Sequence, residues 1–187
     1  IEAAVSLEAS QVCPFNAADI AVDHQLIPNG DDKTRGILVA ATNSLIKSKV
    51  QLAKEAYLKC VLMDVDGLAL LNCFNGLHGG YDKSQTGRPI AILNVGSSCT
   101  TLAIMGDNGW PFIRDMTYAG DDIIKQLATE SNMSTKAVKE ILTASSPAGG
   151  QGSTTHQTGL CNSLKKACQK LIVDVAETLR YYMAQEK

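Results

Sequence analysis

Between Pro89 and Met105 the chain reads Pro-Ile-Ala-Ile-Leu-Asn-Val-Gly-Ser-Ser-Cys-Thr-Thr-Leu-Ala-Ile-Met, which reads as a strand, a tight loop of small polar residues and a second strand. Ile90 to Val95 is apolar except for Asn94 and too short for a helix between Pro89 and Gly96. It reads as a buried strand. Thr100 to Met105 is a second apolar run that opens with two β-branched residues. Gly106-Asp107-Asn108-Gly109 makes a turn, and Trp110 to Met116 follows as a third strand. The loop between the first two strands carries Gly96, Ser97, Ser98, Thr100 and Thr101. A glycine there lets a ligand approach the backbone, and hydroxyls and amides can face an anion. The same composition suits an ordinary hairpin loop.

The 187 residues suffice for one large domain or two small lobes. Apolar residues make up 45% and charged ones 19%, a globular balance. The net charge of -2, with Lys and Arg scattered, leaves no electrostatic footprint for nucleic acid. No apolar run approaches membrane-spanning length, and no signal peptide is visible. A start at Ile1 without methionine raises the expectation that an N-terminal part is missing. Cys13, Cys60, Cys73, Cys99, Cys161 and Cys168 form no CxxC pair and no zinc spacing with histidine. Reduced, buried thiols in a cytosolic protein are expected, and a secreted disulfide scaffold fits poorly.

Before the central stretch, residues 1–12 read as the end of a helix, stopped by Pro14. Ile20, Val22, His24 and Leu26 alternate as one face of a strand, on which His24 is better explained as a hydrogen-bonded strand residue than as a ligand. Pro28 to Asp32 is a turn, and Gly36 to Ala41 a buried strand. Thr42, Asn43 or Ser44 caps a helix whose Lys47, Lys49, Lys54 and Lys59 form a solvated face. Cys60 to Asp66 is a further expected strand, followed by a helix over Gly67–Phe74. Asp64 and Asp66 sit at that handover, where open α/β sheets hold ligands and where an Asp also caps a helix. Residues 75–89, with His78, read as a polar loop.

After the three strands, Asp121 and Asp122 suit the first turn of a helix, where they complement its dipole more plausibly than they hold a metal. Ser134 caps a short helix, and Ser145 to Thr155 reads as a mobile loop without a Walker lysine. Leu160, Leu164, Ala167, Leu171, Val175, Leu179 and Tyr182 mark the apolar stripe of the longest helix.

Several segments, taken in order, resemble the actin-like ATPase superfamily and, within it, the PilM family of type IV pilus assembly. Leu7 to Phe15 resembles that family's E-A-x-x-x-x-P-F segment, Asp23-His24-Gln25-Leu26 its D-Y-Q-V/L strand, and Leu38-Val39-Ala40-Ala41 its L-V-A-A segment. Val61 to Leu70 resembles the V-V-D-V-E-x-x-A-L return strand, and Ile92 to Thr101 the second phosphate loop, usually D-I-G-x-x-x-T. Arg114 to Gly120 resembles the R-x-x-x-x-G-G strand exit, with Ala119 in place of the first glycine, and Glu177 to Tyr182 the E-I-x-R-S-L-x-Y/F helix.

The resemblance implies an α/β fold with an actin-like (ribonuclease-H-like) core. Residues 1–60 would be an inserted small α+β module that binds a partner, and residues 61–187 a nucleotide-binding region with its phosphate loop at 94–101. The N-terminal strand region and the C-terminal part of the full fold would be missing. Asn94, Gly96, Ser97, Ser98, Thr100, Thr101 and Gly120 would face the nucleotide. ATP and Mg²⁺ would belong to the complete protein, and no cofactor to this fragment. Asn94 stands where the pattern has Asp. A neutral amide loses the charge attraction to a cation and cannot serve as a base, so efficient catalysis is not expected and no catalytic or metal-ligating residue is assigned. The implied role is a cytoplasmic adaptor at the inner-membrane face that grips the N-terminal peptide of a PilN-type membrane protein, with self-association open and the membrane reached only through partners. An FtsA-like cell-division protein, a type II secretion adaptor and an ATP-dependent kinase of the same superfamily are the alternatives.

Overall fold

The computed structural model describes residues 5, 7, 11, 19–28, 34–77, 89–106, 109–144 and 154–185. The chain divides into two compact units, Ile1–Val65 and Asp66–Lys187. The described residues form a mixed α/β architecture of two small antiparallel sheets and helices.

In the first unit Val5, Leu7 and Gln11 are helical. Strands β1 (Ile20–Pro28) and β2 (Thr34–Thr42) pair antiparallel from Ile20↔Thr42 to Pro28↔Thr34. The expected alternation holds as far as Gln25: Ile20, Val22 and His24 are half-buried and Ala21, Asp23 and Gln25 exposed, whereas Leu26, expected on the covered face, is exposed near the open end of the ribbon. The strand runs on to Pro28, beyond the Leu26 expected from the sequence, because a proline is tolerated at the end of an edge strand. β2 is half-buried over residues 37–42 rather than buried, since a lone two-stranded ribbon has too little cover.

Helix α1 (Asn43–Glu55) opens on Thr42, whose Oγ1 accepts the Leu45 N–H at 3.3 Å. It ends where the Leu58 N–H reaches back to the Ala53 carbonyl (2.8 Å) and the Tyr57 N–H to that of Lys54 (3.0 Å). That pattern requires a left-handed residue, usually glycine, and here Tyr57 supplies it at φ 59°. Lys47, Lys49, Lys54 and Lys59 are exposed, as expected.

The expected strand over Cys60–Asp66 does not form. Residues 58–65 have no regular structure, and Val61 and Leu62 are 84% and 83% exposed. Apolar β-propensity alone does not make a strand. The backbone needs a ladder, and no described strand pairs with this segment.

The second unit begins with helix α2 (Asp66–Leu77), three residues longer than the expected Phe74 end. Residues 78–88, including His78, lie outside the described residues, as do Cys13 and residues 145–153. Strands β3 (Ile90–Val95), β4 (Thr100–Met105) and β5 (Pro111–Met116) form a meander in the order β3-β4-β5, as anticipated. The second turn closes with the Gly109 N–H on the Gly106 carbonyl at 3.0 Å, and Gly109 takes φ 79°. Helices α3 (Gly120–Glu130), α4 (Thr135–Ala144) and α5 (Thr154–Gln185) follow. Ser134 caps α4 as expected, its Oγ accepting the Ala137 N–H at 3.2 Å. α5 starts at Thr154, within the stretch read as a loop.

The sheet is covered on both faces. Leu102, Ile104 and Met116 pack with Tyr182, Phe112, Val175 and Leu179, which places α5 on one face. On the other face α2 lies over β4 and β5, so close that a Cβ on Gly67 would stand 2.4 Å from Ile113 Cγ2. A second cluster joins Ile123, Leu127, Ala128, Val138, Ala167 and Leu171 of the three C-terminal helices. Of the α5 stripe read from the sequence, Ala167, Leu171 and Tyr182 are buried and Leu164, Val175 and Leu179 half-buried, while the Leu160 side chain lies outside the described residues. β3 is not the buried strand expected. It lies at the sheet edge, and Leu93 and Val95 are 44% and 45% exposed. Cys60, Cys73 and Cys99 are likewise exposed free thiols rather than buried ones, and Cys168 is half-buried. Cys60 lies in the segment that forms no strand and Cys99 at a turn, so neither position has a core beside it.

Candidate functional site

The β3–β4 connection is as short as an antiparallel pair allows. Pairing continues past Val95↔Thr100 to Gly96, whose N–H donates to the Cys99 carbonyl at 3.0 Å. Only Ser97 and Ser98 are left to turn the chain, and both are exposed. A Cβ on Gly96 would meet the Cys99 carbonyl oxygen at 2.7 Å, which explains the glycine by closeness rather than by φ.

The N-terminus of α3 holds this turn. The Gly120 N–H donates to the Gly96 carbonyl (2.9 Å) and the Asp121 N–H to that of Ser97 (2.8 Å). Two helix-terminal donors that usually need a cap are thereby satisfied by the loop. Gly120 is needed for this approach, since a Cβ there would stand 3.0 Å from the Gly96 oxygen. Ala119, at the N-cap, has no side-chain acceptor, but its N–H is taken by the Asp122 carboxylate at 3.2 Å. Asp121 and Asp122 occupy the first turn, as the dipole argument anticipated. With the turn's carbonyls drawn toward the helix, the N–H groups of Ser97, Ser98 and Cys99 reach no backbone carbonyl among the described residues.

The seven residues singled out in the sequence fall into two groups. Gly96, Ser97, Ser98 and Gly120 meet at the turn. Asn94, Thr100 and Thr101 lie on the strands beneath it. Thr100 is fully buried and its hydroxyl donates to the Tyr118 carbonyl at 2.9 Å. Thr101 is buried on the opposite face and donates to Asp115 Oδ1 at 2.6 Å. Both hydroxyls are thus used within the fold. Asn94 faces the same side as Thr101, since Asn94↔Thr101 and Thr101↔Asp115 form one row across the sheet. Asp115 is the only carboxylate in that row. Among the described residues no three His, Cys, Asp or Glu side chains gather to hold a metal. A neutral Asn94 with one carboxylate two strands away does not fit a tightly held Mg²⁺. Asp64 turns its Oδ1 to the Val65 N–H at 2.8 Å, and Asp66 opens α2.

Two residues absent from the sequence reading belong to the surroundings of the turn. Lys139 of α4 places its Nζ 3.2 Å from Asp121 Oδ1. No local pattern marks Lys139, because only the packing of α4 on α3 brings it there. Tyr118 links the strands to α5, its hydroxyl lying 2.8 Å from the Ala167 carbonyl and 2.9 Å from Gln126 Oε1. Burial, with the Asp122 carboxylate nearby, raises the Tyr118 phenol above its ordinary value of 10.0.

With the geometry in place, the comparisons with known proteins bear on what carries it. The family described as type IV pilus assembly protein PilM matches over residues 1–148. The chain belongs to the PilM family of type IV pilus assembly proteins. None of the curated proteins matches the chain. Among solved structures it is similar to a chain of one described as the "PilM-PilN type IV pilus biogenesis complex", with a TM-score of 0.75 at 20% identity. That alignment covers 98% of this chain and 51% of the other, so the chain spans about half the length of that relative. At this identity the likeness concerns the fold. No helix among the described residues is long and apolar enough to cross a membrane.

Proposed function

We propose that this PilM-family chain is part of an actin-like adaptor of type IV pilus assembly. It would work at the cytoplasmic face of the inner membrane and bind the N-terminal peptide of a PilN-type membrane partner. The observation that carries this reading is the family match over residues 1–148, supported by the shared fold with a chain of the PilM–PilN complex. The β1–β2–α1 region would contribute part of the peptide groove, where an extended peptide gains affinity from backbone pairing and specificity from alternate side-chain pockets.

In the second unit the Ser97–Ser98 turn would serve as half of a nucleotide site within an actin-like core. Three turn amides that reach no backbone carbonyl among the described residues and two exposed serines suit a phosphate better than an apolar ligand. Asn94 gives the site no base and no anionic metal ligand, so ATP would set conformation rather than be turned over rapidly.

The test is calorimetric titration of the full-length protein with a synthetic peptide of the partner's cytoplasmic N-terminus. Saturable binding, lost when the peptide sequence is scrambled, supports the adaptor. Absence of binding at millimolar-range peptide, where even about 4 kcal/mol of affinity is visible, overturns it.

A further inference from the structure

The two edges of the β3-β4-β5 sheet are not alike. β5 carries Arg114 and Asp115 at exposed positions. Arg114 lies on the face that α5 covers, with its guanidinium 6.0 Å from the centre of the Tyr181 ring. Charges of this kind keep further strands from adding to an edge. β3, Ile90-Ala91-Ile92-Leu93-Asn94-Val95, has no charged residue at all.

The backbone of β3 is set to receive a strand. The bond from the Gly96 N–H to the Cys99 carbonyl fixes the phase of the antiparallel ladder. Asn94, Ile92 and Ile90 therefore turn their polar groups to β4, while Val95, Leu93 and Ala91 present theirs at the edge that no described strand covers. The side chains of these same three lie on the sheet face of Leu102 and Ile104, and all three are exposed. The apolar surface continues onto α5. Tyr181 meets Phe112 and Arg114, so that flank of the helix is turned to β5. The opposite flank carries Ile172, Leu179 and Met183 at helical spacing and is turned to the β3 side, with Ile172 and Met183 exposed. Backbone and apolar surface thus ask for one kind of occupant, an uncharged strand with apolar residues at every second position.

We infer that this occupant is β3 of a second copy of the chain, paired antiparallel across a two-fold axis at Leu93. β3 is itself a strand of the required kind. With Leu93 opposite Leu93, Ala91 falls opposite Val95, and every outward residue of one copy meets an outward residue of the other. A shift by one residue sets outward groups against inward ones. A shift by two leaves one outward residue of each copy without a partner. The contact is isologous, so it closes on a dimer rather than a filament and joins the two three-stranded sheets into one. It is independent of the adaptor and nucleotide readings.

The experiment follows the full-length protein across a dilution series by light scattering and by amide hydrogen exchange. The expected result is a mass that doubles with concentration. The amides of Ala91, Leu93 and Val95 slow with it by about tenfold or more, while those of Ile92 and Asn94, already bonded to β4, change little. Leu93→Lys sets two ammonium groups against each other at the axis and abolishes both effects. Leu93 is the one residue of β3 that lies opposite itself, with Cα atoms about 5.5 Å apart. Under mild oxidation Leu93→Cys therefore links to its own copy at that position and Val95→Cys does not. Peptide mapping separates this bond from the exposed native thiols. Slow exchange of the three amides in a monomer at every dilution assigns the edge to a segment of the same chain. Slow exchange only after a different protein is added assigns it to that protein. Either result overturns the inference, as does fast exchange at every concentration or a dimer in which the three amides stay fast.

Discussion

The N–H of Gly120 donates to the carbonyl of Gly96 across 2.9 Å, joining the first residue of α3 to the first residue of the β3–β4 turn. A methyl group is too close at Gly96 and tight at Gly120. Gly96→Ala would drive a Cβ into the Cys99 carbonyl, which is backbone and cannot swing away, and should destabilise by about 1–3 kcal/mol. Gly120→Ala meets its neighbour at a slightly longer distance and should cost less. Urea unfolding of both variants checks the order. Equal stability of Gly96→Ala and wild type would contradict the closeness argument.

Tyr57 occupies a left-handed position with its side chain 98% exposed, so nothing in its surroundings repays the backbone cost. Tyr57→Gly should stabilise the first unit by about 1 kcal/mol, the usual penalty of that conformation for an L residue. A rise in the urea midpoint with unchanged slope is the expected reading.

Gly67→Ala places a methyl against the Ile113 side chain. The cost should be about 1–3 kcal/mol, and it should shrink in an Ile113→Ala background, which lacks the Cγ2, Cγ1 and Cδ1 atoms that the methyl meets. A double-mutant cycle with no coupling would show that α2 shifts instead.

The raised Tyr118 phenol makes a pH prediction. The folded protein holds the phenolic proton more tightly than the unfolded chain, so this contribution to stability is complete below pH 10 and falls as pH rises through the folded value. Tyr118→Phe should lose about 1 kcal/mol at neutral pH, from the missing hydrogen bond to Ala167, and should lack the alkaline loss. Thermal melts from pH 7 to 11 separate the two effects.

Among the described residues β3 pairs on one side only, and Leu93 and Val95 are exposed although they share the sheet face of Leu102 and Ile104. Residues 1–187 expressed alone should therefore self-associate in a concentration-dependent way, and Val95→Lys should reduce this. Light scattering across a dilution series reads it. Identical behaviour of variant and parent would place the sticky surface elsewhere.

Local chemistry explains which parts were legible in the sequence. The β3-β4-β5 meander could be read because each strand is bounded by Pro, Gly or an Asp-Asn-Gly turn, and the α5 stripe because seven apolar residues keep helical spacing. Ser134 could be named as a cap, and Thr42 as one of three candidates with Asn43 and Ser44, because a hydroxyl before an apolar period has one main use there. Cys60–Val65 misled because its composition states a preference, whereas a strand needs a partner that lies elsewhere in the fold. The candidate site was half legible. Gly96 and the two serines announce a tight polar turn. The clamp by Gly120 and Asp121, the capture of the Thr100 and Thr101 hydroxyls, and the approach of Lys139 all depend on contacts between elements far apart in sequence.

The brevity of the Ser97–Ser98 turn also sets a kinetic character. A two-residue turn whose Gly96 and Ser97 carbonyls are held by a helix terminus at 2.9 and 2.8 Å has no slack with which to fold over a guest. Under the proposed phosphate reading, an anion would therefore meet a turn that does not close over it. Its dwell time would follow from charge alone and would shorten steeply as salt rises.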